Sequence, residues 1–405
     1  MYFKKSNVKK FVHLFKCTDF YIYTKRDSLL MGMLIFVNSM IYSQRYQGSI
    51  IDCETNTKLP FASIYVDADH KTISNIDGDF YIETTSNGFA KISYVGYNDV
   101  VIPVSMLNST IKMKPYTVQL NEVVAYPIDV TIQKIIKKIQ IETEKNKYIE
   151  SNFLYRQTTF NSDVCNEFIE AFFSAKSELS LRGLSLITGR YASLPSTKEC
   201  RYSYCTNFFS LAQLGIYTNK IQKHIPIPLL SPKYSKFYNV DYSIIEGAKG
   251  SIYVISFKAK RNFSKSILEG KLYVNTSNLD ILKFEGHLKN SKLSQDKHTK
   301  IPFSLSVDIN YTKRRGFTEV ESEQLIGLYT YRGKNVRINT SVFNVGTKKI
   351  NDKKKIKYNN NLKEVIASLA YDSHFWRENV KFKRTSLEMN VIKLFENKNI
   401  FTNIK

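Results

Sequence analysis

The sequence predicts a β-rich, multidomain chain: a small N-terminal β-sandwich, then an α+β domain built on a large antiparallel sheet with a C-terminal helix. Three observations predict it. Short alternating stretches fill residues 46–114, with turn signals spaced as in a sandwich, about every 8–12 residues. Longer alternating stretches recur from 151 to 350 without long helical patterns between them, as in a meander. Tyr (27) and Phe (26) are abundant while Gly (16) and Pro (9) are scarce, a balance that suits pleated, half-buried sheets.

Residues 1–43 read as a signal peptide. Lys25 and Arg26 precede an apolar run from Leu29 to Tyr42, and small Ser43 follows. A basic flank, about 7–15 apolar residues and a small residue at the cut are the marks of such a leader. The run is shorter than the roughly 20 residues of a membrane span. Export to the periplasm or outer membrane, with cleavage near Ser43, is the expectation. In an oxidising compartment Cys200 and Cys205 are spaced for a local disulfide. Zinc would need a second ligand pair, which the sequence lacks.

Residues 46–115 form the predicted sandwich. "YQGSIID" opens a strand, and "PFASIYVD" puts Ala62, Ile64 and Val66 on one face. "HKTISNIDGDFYIET" turns at Asp77-Gly78, a hairpin signal because glycine accepts the positive φ of such turns. Asp77 and Asp79 supply too few oxygens for calcium, which takes six to eight. Asp77, Gly78 and Asp79 therefore read as a structural turn rather than a metal or catalytic loop.

Gly48, Asp52, Thr55, Thr57, Leu59, Pro60, Ala62, Val66, the run "NIDGDF" from Asn75 and "ISYVGY" from Ile92 resemble, in order and spacing, a carboxypeptidase regulatory-like domain. That resemblance implies a transthyretin-like β-sandwich of the kind found in exported Gram-negative proteins and ahead of many TonB-dependent outer-membrane receptors. It also implies that the acidic-glycine turn serves the scaffold.

Residues 116–150 read as a strand from Leu120 to Ala125 and a linker helix. Ile128, Ile132, Ile135, Ile136 and Ile139 recur at helical spacing, so this helix is expected to pack on the following domain. The stretch from "VQLNEVVAYP" to Leu154-Tyr155-Arg156, and the later "YDSHFW", are similar to a larger group of exported proteins. That likeness implies architecture and envelope location, not chemistry.

Residues 151–405 form the predicted α+β domain. In "IPFSLSVDINYTKRR", Phe303, Leu305, Val307, Ile309 and Tyr311 share one face, and Ser304, Ser306, Asp308 and Asn310 the other. This pattern predicts a sheet with one wet side. Its expected curvature resembles in shape the half-barrels of periplasmic lipoprotein carriers. Thr385 and Glu388 form a capping-box signature at the start of a run that carries Leu387, Val391, Leu394 and Phe395, which predicts a terminal helix closing over the sheet.

Catalytic constellations are not evident. Metallocarboxypeptidase chemistry needs two His and a carboxylate on zinc. His70, His224, His287 and His298 are isolated, and His374 precedes Glu378 by four without a third ligand in view. No G-x-S-x-G elbow, phosphate loop or Cys–His setting occurs. Glu319, Glu321 and Glu323 alternate and read as a solvated strand face. The net charge of +23 attracts polyanions, but its lysines are dispersed and no nucleic-acid signature accompanies them, so nucleic acid is not the expected partner. The expectation is a non-enzymatic binding or assembly protein of the envelope, without cofactor or metal. Its expected partners are an outer-membrane or envelope protein, a glycan or lipopolysaccharide. The competing expectations are a hydrolase with its site in 151–405 and a carrier of an apolar ligand.

Overall fold

The structure, a computed structural model, describes residues 44–117, 127–145, 150–194, 215–221, 226–289, 299–346, 354–355, 365–366, 369 and 371–401, with short breaks at 68, 248–249, 262, 315, 332 and 379–381. The leader, the strand expected at 120–125 and the Cys200–Cys205 pair lie outside the described residues.

The N-terminal unit is a sandwich of two sheets. Strands β1 (Gln44–Asp52), β4 (Asp79–Thr84) and β7 (Thr110–Met113) pair in the order β4-β1-β7. Strands β2 (Ser63–Tyr65), β3 (Lys71–Ile73), β5 (Phe89–Ser93) and β6 (Val100–Pro103) pair in the order β3-β2-β5-β6. Alternation sends Ile50, Phe80, Ile82, Ile64, Ala90 and Ile92 into one shared core; of the predicted face Ala62, Ile64 and Val66, the first two are fully buried and Val66 packs half-buried at its edge. The turn at Asp77-Gly78 differs from expectation in one respect. It joins β3 to β4, which belong to opposite sheets, so it is a corner of the sandwich and not a hairpin.

The large domain begins with helix α1 (Ile128–Lys145) and continues through β8 (Glu150–Asn161), β9 (Val164–Ser177), β10 (Leu181–Ser193), β11 (Tyr238–Gly247), β12 (Gly250–Ala259), β13 (Ile267–Asn275), β14 (Ile281–Lys289), β15 (Thr299–Arg314), β16 (Phe317–Tyr331), β17 (Lys334–Gly346) and β18 (Lys354–Lys355). These strands form one 11-stranded antiparallel sheet, ordered β11 through β17, then β8-β9-β10-β18. Helices α2 (Ser373–Glu378) and α3 (Ser386–Asn397) follow.

One face of this sheet is apolar. Leu305, Val307, Ile309 and Tyr311 lie on it as predicted, with Phe153, Phe173, Phe257 and Phe284. The isoleucines of α1, Ile132, Ile135, Ile136 and Ile139, cover it together with Leu229, Leu230 and Tyr234. Lys138 and Lys313 lock the helix in place through Glu142 and Asp280. Among the described residues, the protein's own side chains occupy this face.

The other face is also covered, so the sheet is not wet on one side over its whole width. The sandwich docks on it through Phe61 and Ile73, which meet Leu154, Phe172, Phe343, Trp376 and Phe382. Phe61 takes φ +62°, a backbone region that bulky residues rarely occupy, and its ring centre lies 6.2 Å from that of Phe343. Lys283 of β14 reaches from the sheet to the Tyr94 ring, 5.3 Å away, while pairing with Asp308 at 2.9 Å.

Farther along the same face, buried charges hold the C-terminal segment. Glu170 receives forked hydrogen bonds from Arg156 (3.0 and 2.8 Å) and Arg190 (3.0 and 2.6 Å), and Arg384 adds a third at 3.1 Å. Arg156 also reaches Glu388 at 3.3 Å. Glu388 completes the predicted capping box: its carboxylate accepts from the Thr385 N–H at 2.8 Å, and its own N–H donates to Thr385 Oγ1 at 3.0 Å.

Candidate binding cleft between the sandwich and the sheet

The pairing of β3, β2, β5 and β6 aligns side chains in rows across the sandwich. The row Ile73–Ser63–Ser93 lies toward the large sheet. The next row, Lys71–Tyr65–Lys91–Val101, stands one step farther out. Where these rows leave the sheet surface, a cleft of about 660 Å³ opens. Tyr65, His70, Lys71 and Tyr81 line it from the sandwich, Arg314, Glu321 and Asn344 from β15–β17, and Glu378 and Phe382 from the C-terminal segment.

A β-bulge decides which acid enters this cleft. The β15–β16 register jumps from Asn310 opposite Ser322 to Tyr311 opposite Val320, so Glu321 is the extra residue. The expected shared face of Glu319, Glu321 and Glu323 does not survive that irregularity, nor does their expected solvation. Glu321 reaches the sandwich, where Ser63 Oγ donates to Oε2 at 3.0 Å. Glu323 stands opposite Ile309 and Val342 and enters the apolar interior, only 2% exposed and with Oε1 unpartnered. Glu319, 1% exposed, accepts from Ser151 Oγ at 3.2 Å and from Asn344 Nδ2 at 3.4 Å.

Burial pushes the Glu321 carboxyl above the usual range, although the Ser63 hydrogen bond and the charges of Lys71 and Arg314 pull the other way. Crowding by the cleft walls, then repulsion from Arg314, lowers Lys71 even though its side chain keeps contact with solvent. Burial alone raises Glu323 well above the carboxylate range.

The turn residues have structural partners. Asn75 Oδ1 accepts from the N–H groups of Asp77 (3.0 Å) and Asp79 (2.9 Å). Gly78 sits at φ +71°, where an added Cβ would lie 2.9 Å from the Ile50 carbonyl oxygen. The Asp79 carboxylate approaches Lys58 at 3.7 Å and Lys383 at 3.8 Å. His374 and Glu378 form a 3.2 Å pair exposed on the surface. Cys165 is a buried free thiol, pushed by burial up to about 12, and Cys53 is also free.

Sequence reasoning singled out Glu321 but misplaced it, and it missed Tyr65, Lys71 and Arg314. The Ser63–Glu321 contact joins positions 258 residues apart, and local pattern carries no trace of it. The odd spacing of apolar residues around the bulge, Val320 then Leu325, was the available signal.

No curated protein matches the chain. Among solved structures, it is similar to a DUF1329 family protein from Desulfovibrio piger, at 8% identity and TM-score 0.22, over 53% of this chain and 92% of that one. It is also similar to a domain described as an outer membrane lipoprotein-sorting protein from Vibrio parahaemolyticus, at 10% identity and TM-score 0.21, over 52% and 91%. A LolA superfamily protein from Nitrosomonas europaea follows at 11% identity and TM-score 0.20, over 55% and 94%. Scores this low carry no functional weight. The N-terminal module is different, because a family model matches it. Residues 46–125 match the CarboxypepD_reg-like domain, and this chain therefore carries a carboxypeptidase regulatory-like domain ahead of its large sheet.

Proposed function

We propose that the protein is a non-enzymatic binding module of the cell envelope and that it takes a glycan in the cleft between sandwich and sheet. The make-up of the cleft supports this reading most directly. Pockets of its size are usually walled by apolar side chains with a few polar groups. Here Lys71, Arg314 and Glu321 supply donors and acceptors for hydroxyl groups, Tyr65 supplies a flat face, and Tyr81 supplies a second opposite the side that Arg45 covers. The basic flank and apolar run of the leader, together with the domain type, support the envelope location.

The hydrolase alternative requires two acids converging on a substrate, commonly about 5–10 Å apart. Glu319 is held by Ser151 and Asn344 and does not line the cleft, and the other acids at the rim, Asp69, Glu83 and Glu378, are exposed. The test is retention on peptidoglycan sacculi and on immobilised envelope polysaccharide. Replacing both Tyr65 and Tyr81 by Ala is expected to weaken retention about thirtyfold, since stacking contacts of this kind contribute about 1 kcal/mol each. Undiminished retention would refute the cleft as the site. Release of new reducing ends by the wild-type protein would favour the hydrolase instead.

A further inference from the structure

We infer that Lys71 and Arg314 form an acidic-group subsite in this cleft, so that the glycan it takes carries a carboxylate or a phosphate. The inference rests on the glycan reading and specifies its ligand. The two cations come from different domains, Lys71 from the outermost strand of the sandwich and Arg314 from the end of β15, and both line the same cleft. They stand near enough to repel one another.

Glu321 and Glu319 offset the two cations in part, but neither closes on them. Among the described residues Lys71 makes no ion pair. Arg314 uses one nitrogen, Nη1, for Asn344 Oδ1 at 3.4 Å and for a distant 3.9 Å approach to Glu319. Its Nε and Nη2 keep no described partner. Glu321 lies within the reach of both charges but hydrogen-bonds Ser63 and is in direct ion-pair contact with neither. An anionic group seated between Lys71 and Arg314 would relieve the repulsion and complete the guanidinium fork, whose geometry matches carboxylate and phosphate alike. The charge of +23, of which +18 remains once residues 1–43 with their seven Lys/Arg and two Asp are removed, raises the local concentration of such ligands.

Three probes test this by titration calorimetry with the full exported chain: a neutral chitotetraose, a tetragalacturonate and a deacylated, phosphorylated glucosamine disaccharide. The wild type is expected to bind at least one acidic probe about tenfold tighter than the neutral one at low salt, with the margin shrinking at high salt. Which acidic probe is preferred separates carboxylate from phosphate. Lys71→Gln, at an exposed position that the fold does not need, should remove most of that margin, and Lys71→Glu should reverse it. Arg314→Lys keeps the charge but loses the fork, and should weaken the acidic probe while leaving the neutral one unchanged. Equal affinity for neutral and acidic probes, or a margin untouched by both Lys71 variants, would overturn the subsite and leave the glycan cleft standing. Failure of all three probes to bind would overturn both.

Discussion

Glu170 and Glu323 are carboxyl groups buried to the same degree on opposite faces of one sheet, and the protein treats them in opposite ways. Glu170 lies among Arg156, Arg190 and Arg384, all within hydrogen-bond distance. Burial works to raise it, yet the three guanidinium groups hold it well below the ordinary carboxylate range. Glu323 lies against Ile309, Val342 and Tyr311 and has no cation nearby among the described residues, so burial alone raises it. The difference teaches that depth does not fix the role of a charge; its neighbours do. One carboxylate ties the C-terminal segment to the sheet, while the other is an uncompensated acid whose removal the fold should welcome.

Three substitutions sharpen or break that contrast. Glu170→Gln should have the largest effect, a loss of about 3–5 kcal/mol in urea unfolding, because three arginines would lose the buried carboxylate they share, leaving Arg156 only the Glu388 edge and Arg190 only the half-exposed Glu396. A loss below about 1 kcal/mol, the size seen for surface pairs, would break the comparison. Glu323→Met should act with the opposite sign and raise stability at neutral pH by about 1–3 kcal/mol, the penalty of an unsatisfied buried polar group. Thr385→Ala is the smallest, about 1 kcal/mol, since it removes the cap but leaves the arginine cluster intact.

The pH dependence follows from the directions of the two shifts. The lowered Glu170 contributes stability that is complete above the ordinary carboxylate value and is lost as pH falls through its folded value. The raised Glu323 does the reverse: stability is undiminished below the ordinary value and declines as pH climbs toward its folded value. Thermal melts across pH should therefore show a falling limb below the ordinary carboxylate value that Glu170→Gln flattens and a decline starting above it that Glu323→Met flattens. A variant that flattens the wrong limb would contradict the assignment.

Much of the fold was legible because it rests on local periodicity. The apolar face of β15, the isoleucine stripe of α1 and the Thr385–Glu388 box are all patterns within a few turns or one strand, and each stands where it was expected. The cleft was not legible for the converse reason. A single-residue bulge at Glu321 changes which face every later side chain takes, and composition does not announce it. Glu170 left a fainter mark, one acid inside the apolar run "FIEAFF", which signals a buried partner without naming it. The corner at Asp77-Gly78 was read as a hairpin because the same dipeptide serves both, and only the sheet order separates them.

The left-handed residue Phe61 has a consequence for how the two halves of the molecule depend on each other. Its torsion angles are held from two sides: Ser74 of the sandwich hydrogen-bonds the backbone from Leu59 to Ala62, and Phe343 with the aromatic side chains around it grips the ring. A sandwich excised from the rest would keep the Ser74 bonds but shed that grip, exposing the Phe61 ring and leaving the strained turn with one support fewer. Detachment of the module is thereby penalised from within, so the two units are expected to melt together rather than in sequence.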